Sequence, residues 1–136
     1  MDIVKTIRIG FERYFDFEGR SSRPEYWYWQ LFWFSSFLGL YYLFFELSIL
    51  FLMITFIPQT AMNIRRLHDL NKSGWWVLLW FIPLMGLFKP SVPTELVLII
   101  GAVVFLFLLW LSRTGDQLMN RYGDNPQSKY YYLTQE

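Results

Sequence analysis

Tyr26-Trp27-Tyr28-Trp29-Gln30-Leu31-Phe32-Trp33-Phe34-Ser35-Ser36-Phe37-Leu38-Gly39-Leu40-Tyr41-Tyr42-Leu43-Phe44-Phe45 is a stretch of twenty residues without a charge. At a rise of about 1.5 Å per residue, a helix of that length crosses a hydrocarbon core of about 30 Å. Its aromatic residues crowd both ends, as belts at the two membrane interfaces require. Pro24 suits a first helical turn, so the spacing predicts a membrane helix over about 24–45.

Downstream, Glu46 marks a tight turn into a second apolar run over 47–64, which carries Pro58, Gln59 and Asn63 near its exit and is open to a kink. That run delivers the chain to Arg65-Arg66-Leu67-His68-Asp69. A third run over 75–92 follows Asn71-Lys72-Ser73-Gly74 and is interrupted by Pro83 and Gly86. It reads as a span that uses its full length, with a re-entrant hairpin as the alternative. The fourth run, 96–112, is continuous, and a polar tail occupies 113–136.

Upstream, Ile3, Val4, Ile7, Phe11, Tyr14 and Phe15 make a helical apolar stripe, with Lys5, Arg8, Glu12, Arg13 and Asp16 on the other side. Segment 1–23 is thus expected to be amphipathic, lying on the membrane surface or packing on the membrane helices, with Gly10 weakening the helix slightly. No short apolar core with a small-residue cleavage site precedes it, so no removable signal peptide is expected. The fold class that follows is all-α: one integral membrane domain over 1–136, a bundle of four transmembrane helices with an N-terminal amphipathic interfacial helix.

Composition agrees. Hydrophobic residues make up 54% of the chain and aromatics 22%, gathered into runs rather than scattered as in a soluble core. The net charge of +1 gives no field toward nucleic acid, and the absence of cysteine removes disulfides and thiolate metal sites. Charge placement is more telling. In the four-helix reading eleven of the 12 Lys and Arg residues fall on one side, and Lys89 alone falls opposite. Positive charge stays in the cytoplasm, so a multi-pass protein of the bacterial inner membrane with both termini cytoplasmic is expected.

Three polar clusters then share the cytoplasmic face: Gly19 through Glu25, Arg65 through Trp76, and Asn120 through Pro126. Arg20, Arg23, Arg65, Arg66 and Arg121 offer guanidinium forks that suit phosphate, so the candidate partner is an anionic lipid headgroup. The competing reading makes these arginines topology anchors paired with Glu25, Asp69 and Asp124. His68, the lone histidine, stands beside Asp69 and could shuttle a proton, although neighbours on a helix do not face each other. Trp75 and Trp76 suit an interface, or stacking on a ligand. With Asn120, these ten residues (Arg20, Arg23, Arg65, Arg66, His68, Asp69, Trp75, Trp76, Asn120, Arg121) form the candidate headgroup-binding set.

No catalytic motif, metal-ligand set or cofactor loop is visible, and no cofactor or nucleic-acid partner is expected. Ionisable residues deep in the runs are lacking, which counts against a pump or channel. Ser35 and Gly39 form a small-residue pair that suits a helix contact, so a homo-oligomer or a protein partner stays open. The function expected is a non-enzymatic scaffold whose arginine-rich face binds anionic headgroups or a partner. The alternative is a lipid-modifying enzyme or small-solute transporter using His68, Asp69 and the arginines.

Four motifs also resemble a known family. Phe17-Glu18-Gly19-Arg20-Ser21-Ser22-Arg23-Pro24-Glu25-Tyr26-Trp27, Arg65-Arg66-Leu67-His68-Asp69 running to Ser73-Gly74-Trp75-Trp76, Ile82-Pro83-Leu84-Met85-Gly86, and Asn120-Arg121-Tyr122-Gly123 with Pro126 together look like the domain of unknown function 805 family. The likeness covers roughly 15–126 and departs in the tail, at Leu118 where glycine is common and Asp124 where proline is common. It implies a small bacterial inner-membrane protein with several helices, and no reaction.

Overall fold

A computed structural model describes residues 2–81 and 93–127, and among these the chain is helical with no strand. Helix α1 spans Ile3–Glu12, α2 Arg23–Leu43, α3 Phe45–Asp69 and α4 Thr94–Leu111, with a 3-10 helix at Gly74–Phe81.

Local signals account for the ends. Asp2 accepts from the Lys5 backbone N–H at 2.7 Å and starts α1. Ser22 and Glu25 form a reciprocal capping box at α2, with Pro24 in its first turn. Between α2 and α3 only Phe44 leaves the helical region (φ −149°, ψ 80°), so the hairpin is tighter than a turn at Glu46 would make it. Glu46 lies instead in the first turn of α3, where a negative charge meets the positive end of the helix dipole. Helix α3 then runs to Asp69, past the expected end at 64. Its last turns bury Arg65, Arg66, His68 and Asp69. It closes in a Schellman motif: Asn71 is left-handed (φ 56°), its N–H donates to the His68 carbonyl (3.0 Å), and that of Lys72 to the Leu67 carbonyl (2.9 Å).

Helices α3 and α4, of 25 and 18 residues, are long and apolar enough to cross a membrane. Helix α2 has the length, but its run of Tyr, Trp, Gln and Ser residues keeps it from being apolar enough by the same measure. The third run opens as a 3-10 helix of 8 residues rather than an α-helix. The rest of that run, including Pro83 and Gly86, lies outside the described residues. Four crossings are therefore not established, and among the described residues two helices are long and apolar enough.

Helices α2 and α3 pack as an antiparallel pair joined by a polar ladder. Trp29 Nε1 donates to Gln59 Oε1 (2.7 Å), Gln59 Nε2 to Gln30 Oε1 (3.0 Å), Gln30 Nε2 to Asn63 Oδ1 (3.3 Å), and Trp33 Nε1 to Thr55 Oγ1 (2.9 Å). In an apolar surround such bonds set register, because a slip would strand amides with no water to satisfy them. Both readings of α1 have a counterpart. Thr6 and Gly10 are buried, and Phe11 meets Trp29 edge-on with centroids 5.5 Å apart. Val4 and Phe15 remain 72% and 70% exposed, free to meet lipid. A Cβ at Gly10 would lie 2.1 Å from the Trp29 ring, so this glycine is what lets α1 approach.

Pro58 leaves the Ile54 carbonyl without its helical donor. The Tyr14 hydroxyl, just beyond α1, donates to that carbonyl. The core is completed by Tyr26, Met62, Leu67, Val77, Phe107 and Leu111 around Trp29. Helix α4 joins it at its C-terminal end, whereas Leu96, Val97, Leu98 and Ile99 near its start are exposed.

Candidate functional site

The capping box, the final turns of α3 and the tail after α4 meet at one end of the bundle, so the three polar clusters do converge. Asp69 lies at their centre, 3% exposed. One of its oxygens accepts from Arg20 Nε (3.0 Å) and Nη2 (2.8 Å), and the other from Arg66. One carboxylate thus serves two guanidiniums, and main-chain carbonyls take up their remaining donors. Arg20 Nη1 reaches the Leu118 (2.8 Å) and Gly123 (3.2 Å) carbonyls, and Nη2 that of Asp116. Arg66 donates to the carbonyls of Leu111 (2.9 Å) and Arg113 at the end of α4, and to that of Ser21 (3.4 Å).

Arg65 turns the opposite way. Its Nε donates to Ser21 Oγ (3.1 Å) and its Nη1 to the Arg13 (3.3 Å) and Asp16 carbonyls, tying the loop after α1 to α3. Ser21 Oγ donates in turn to Glu25 (3.1 Å). In that loop Asp16 accepts from Arg13 Nε (2.7 Å) and the Glu18 N–H (3.0 Å). Burial pushes the Asp16 carboxyl up, but these bonds and the charges of Arg13 and Arg65 outweigh it and hold it below the usual carboxylate range.

The tail is fastened by further contacts. Asp116 N–H donates to the Asp69 carbonyl (2.9 Å), and Asn120 Nδ2 to that of His68 (3.0 Å). Arg121 donates to the Asn71 carbonyl (3.1 Å) and lies over the Tyr122 ring. That ring stacks on His68 with centroids 3.8 Å apart and planes within 5°. His68 Nδ1 donates to the Gly19 carbonyl at 3.1 Å, so the imidazole is spent on structure and forms no pair with Asp69. Gly115 passes so close that a Cβ would lie 1.8 Å from Asp69 Oδ2.

Of the ten candidates, then, Arg20, Arg65, Arg66, His68, Asp69, Asn120 and Arg121 are drawn into one network. The first three are 5%, 0% and 0% exposed, which turns them away from any surface ligand. Arg23 lies on the rim, exposed, with no hydrogen bond or ion pair among the described residues. Trp75 and Trp76 project outward at 78% and 47% exposure, and Trp76 meets Trp110 edge-on rather than joining the cluster. Sequence reasoning placed Ser21, Ser22 and Glu25 in a polar cluster and named Glu25 as a counter-ion for the arginines, but missed the capping box and the Ser21 bridge to Arg65. The signal for the box was the Ser-x-x-Glu spacing ahead of an apolar run. A cleft of about 410 Å³ opens beside Arg23, between the start of α2 and the tail.

Apolar helices that expose their side chains at one end and tie off an ion-paired knot at the other define a small helical membrane protein. The chain belongs to the family described as "Protein of unknown function (DUF805)", whose model matches residues 14–124. Its relatives include inner membrane protein YhaI of Escherichia coli K12, 34% identical over 125 residues, spanning 85% of this chain and 90% of that one. Inner membrane protein YhaH of the same strain is 35% identical over 127 residues, covering 85% and 91%. The uncharacterized protein YiiR is 28% identical over 141 residues, covering 86% and 90%. An inner-membrane location follows from this kinship. No solved structure matches.

Proposed function

We propose that this protein is a non-enzymatic inner-membrane scaffold, multi-pass with both termini cytoplasmic, whose arginine-rich end meets anionic lipid headgroups. The observation that carries the reading is the division of labour among the cations. Arg20, Arg65 and Arg66 are consumed in fastening three segments together, while Arg23, Lys72 and Arg113 are exposed at the ends of α2, α3 and α4. Cations at helix ends lie at headgroup depth, and each contributes about 1 kcal/mol near an anionic surface. The lopsided placement of Lys and Arg supports the orientation. His68 and Asp69 are bound up in the knot, so the enzyme and transporter alternative gains nothing from the geometry.

Native mass spectrometry of the detergent-purified protein tests this. Retained phosphatidylglycerol or cardiolipin, lost when Lys72 and Arg113 are both replaced by Gln, is the expected outcome. Retention unaffected by those changes would overturn it.

A further inference from the structure

The cleft beside Arg23 has a lining unlike a plain cation patch. The N-terminal turns of α2 supply Arg23 and Trp27, four residues apart and therefore on one helix face. The tail supplies Asp116, Gln117 and Asn125 from the other wall. That wall is held in shape: Asn125 Nδ2 donates to the Gln117 carbonyl (2.8 Å), Asp116 is pinned through its backbone to Asp69 and Arg20, and Asp116 Oδ2 accepts from Asn120 (3.2 Å). The volume, about 410 Å³, falls within the range of small-ligand sites, about 300–1,000 Å³. Asp69 also borders the cleft, but its charge is spent on Arg20 and Arg66.

A cation with no hydrogen bond or ion pair among the described residues, a carboxylate and an indole around one hollow complement a ligand that carries both charges. A phosphate would pair with the Arg23 guanidinium in a bidentate fork. An ammonium would be accepted by Asp116 and attracted to the face of Trp27. A purely anionic headgroup would meet Asp116 as a like charge. We infer that this cleft binds a phosphate ester bearing a primary ammonium group, the chemistry of phosphoethanolamine. The inference rests on the reading that this end of the molecule lies at headgroup depth, but it uses residues other than Lys72 and Arg113.

The test is native mass spectrometry from nanodiscs containing equal parts of phosphatidylethanolamine, phosphatidylcholine and phosphatidylglycerol, with wild type, Arg23→Gln and Asp116→Asn. Each variant is checked for an unchanged thermal midpoint. Wild type should retain about five times as much phosphatidylethanolamine as either of the other two lipids. Arg23→Gln should return it to the bulk ratio, and Asp116→Asn should abolish the preference over phosphatidylglycerol. Equal retention of phosphatidylcholine would overturn the primary-ammonium assignment, and enrichment insensitive to Arg23→Gln would overturn the site. Phosphatidylglycerol held through Lys72 and Arg113 with no phosphatidylethanolamine enrichment would leave the scaffold reading standing and this one refuted. A parallel arm titrates soluble O-phosphorylethanolamine into lipid-free detergent samples. Binding there identifies a free source, binding of the lipid alone a membrane source, and binding of neither contradicts the proposal.

Discussion

At the scale of single residues, Asp69 is the hinge of the arrangement. Replacing it with Asn leaves Arg20 and Arg66 buried without a counter-charge, a change that costs about 3–5 kcal/mol in comparable buried pairs. A marked fall in the thermal midpoint in detergent is expected for Asp69→Asn, and none for the exposed Asp116→Asn. Gly115→Ala should mimic the loss, since its Cβ would collide with the Asp69 carboxylate. Limited proteolysis of the tail reads that effect as faster cleavage after residue 113. Asp16 adds a dependence on pH. Its carboxyl is held below the ordinary range in the folded state, so its contribution is present above that range and is lost as pH falls through the depressed value. Asp16→Asn should therefore flatten the acid limb of a stability profile measured by thermal melting.

Among the elements, the meeting of α1 with α3 has a specific chemical basis. Pro58 frees the Ile54 carbonyl, and Tyr14 satisfies it. Tyr14→Phe should destabilise the fold, because the Ile54 carbonyl, on a surface that faces lipid rather than water, would be left without a donor. Pro58→Ala restores a helical N–H at that point, so the double variant should lose less than Tyr14→Phe alone. Additive losses in chemical denaturation would contradict this account.

Much of this level was legible in the sequence. The uncharged twenty-residue run, Pro24 and the break near Glu46 place α2 and the start of α3 within two residues. The end of α3 was not legible, because Arg65 and Arg66 look like flanking charges until their acceptors, the carbonyls of residues far along the chain, are known. Gln30, Gln59 and Asn63 were visible only as defects in apolar runs. Pairing across the antiparallel helices makes them a ladder.

For the whole molecule, convergence of the three clusters was expected from the four-helix reading, in which each polar segment falls on one side. What the clusters do to one another was not. Of the five arginines that phosphate chemistry singles out, the fold consumes Arg20, Arg65 and Arg66 and ties Arg121 to the Asn71 carbonyl, and Arg23 is left facing a cleft. The account therefore depends on the knot lying on the cytoplasmic side.

The chain has no cysteine, so a single introduced thiol reports on the side of the membrane without background. Leu118 is 80% exposed, and its carbonyl is held by Arg20, which makes Leu118→Cys a reporter on the knot itself. In spheroplasts, an impermeant maleimide should leave this thiol unlabelled until the inner membrane is opened, and inverted vesicles should label it at once. Labelling in intact spheroplasts would place the arginine cluster outside the cytoplasm and contradict the central claim.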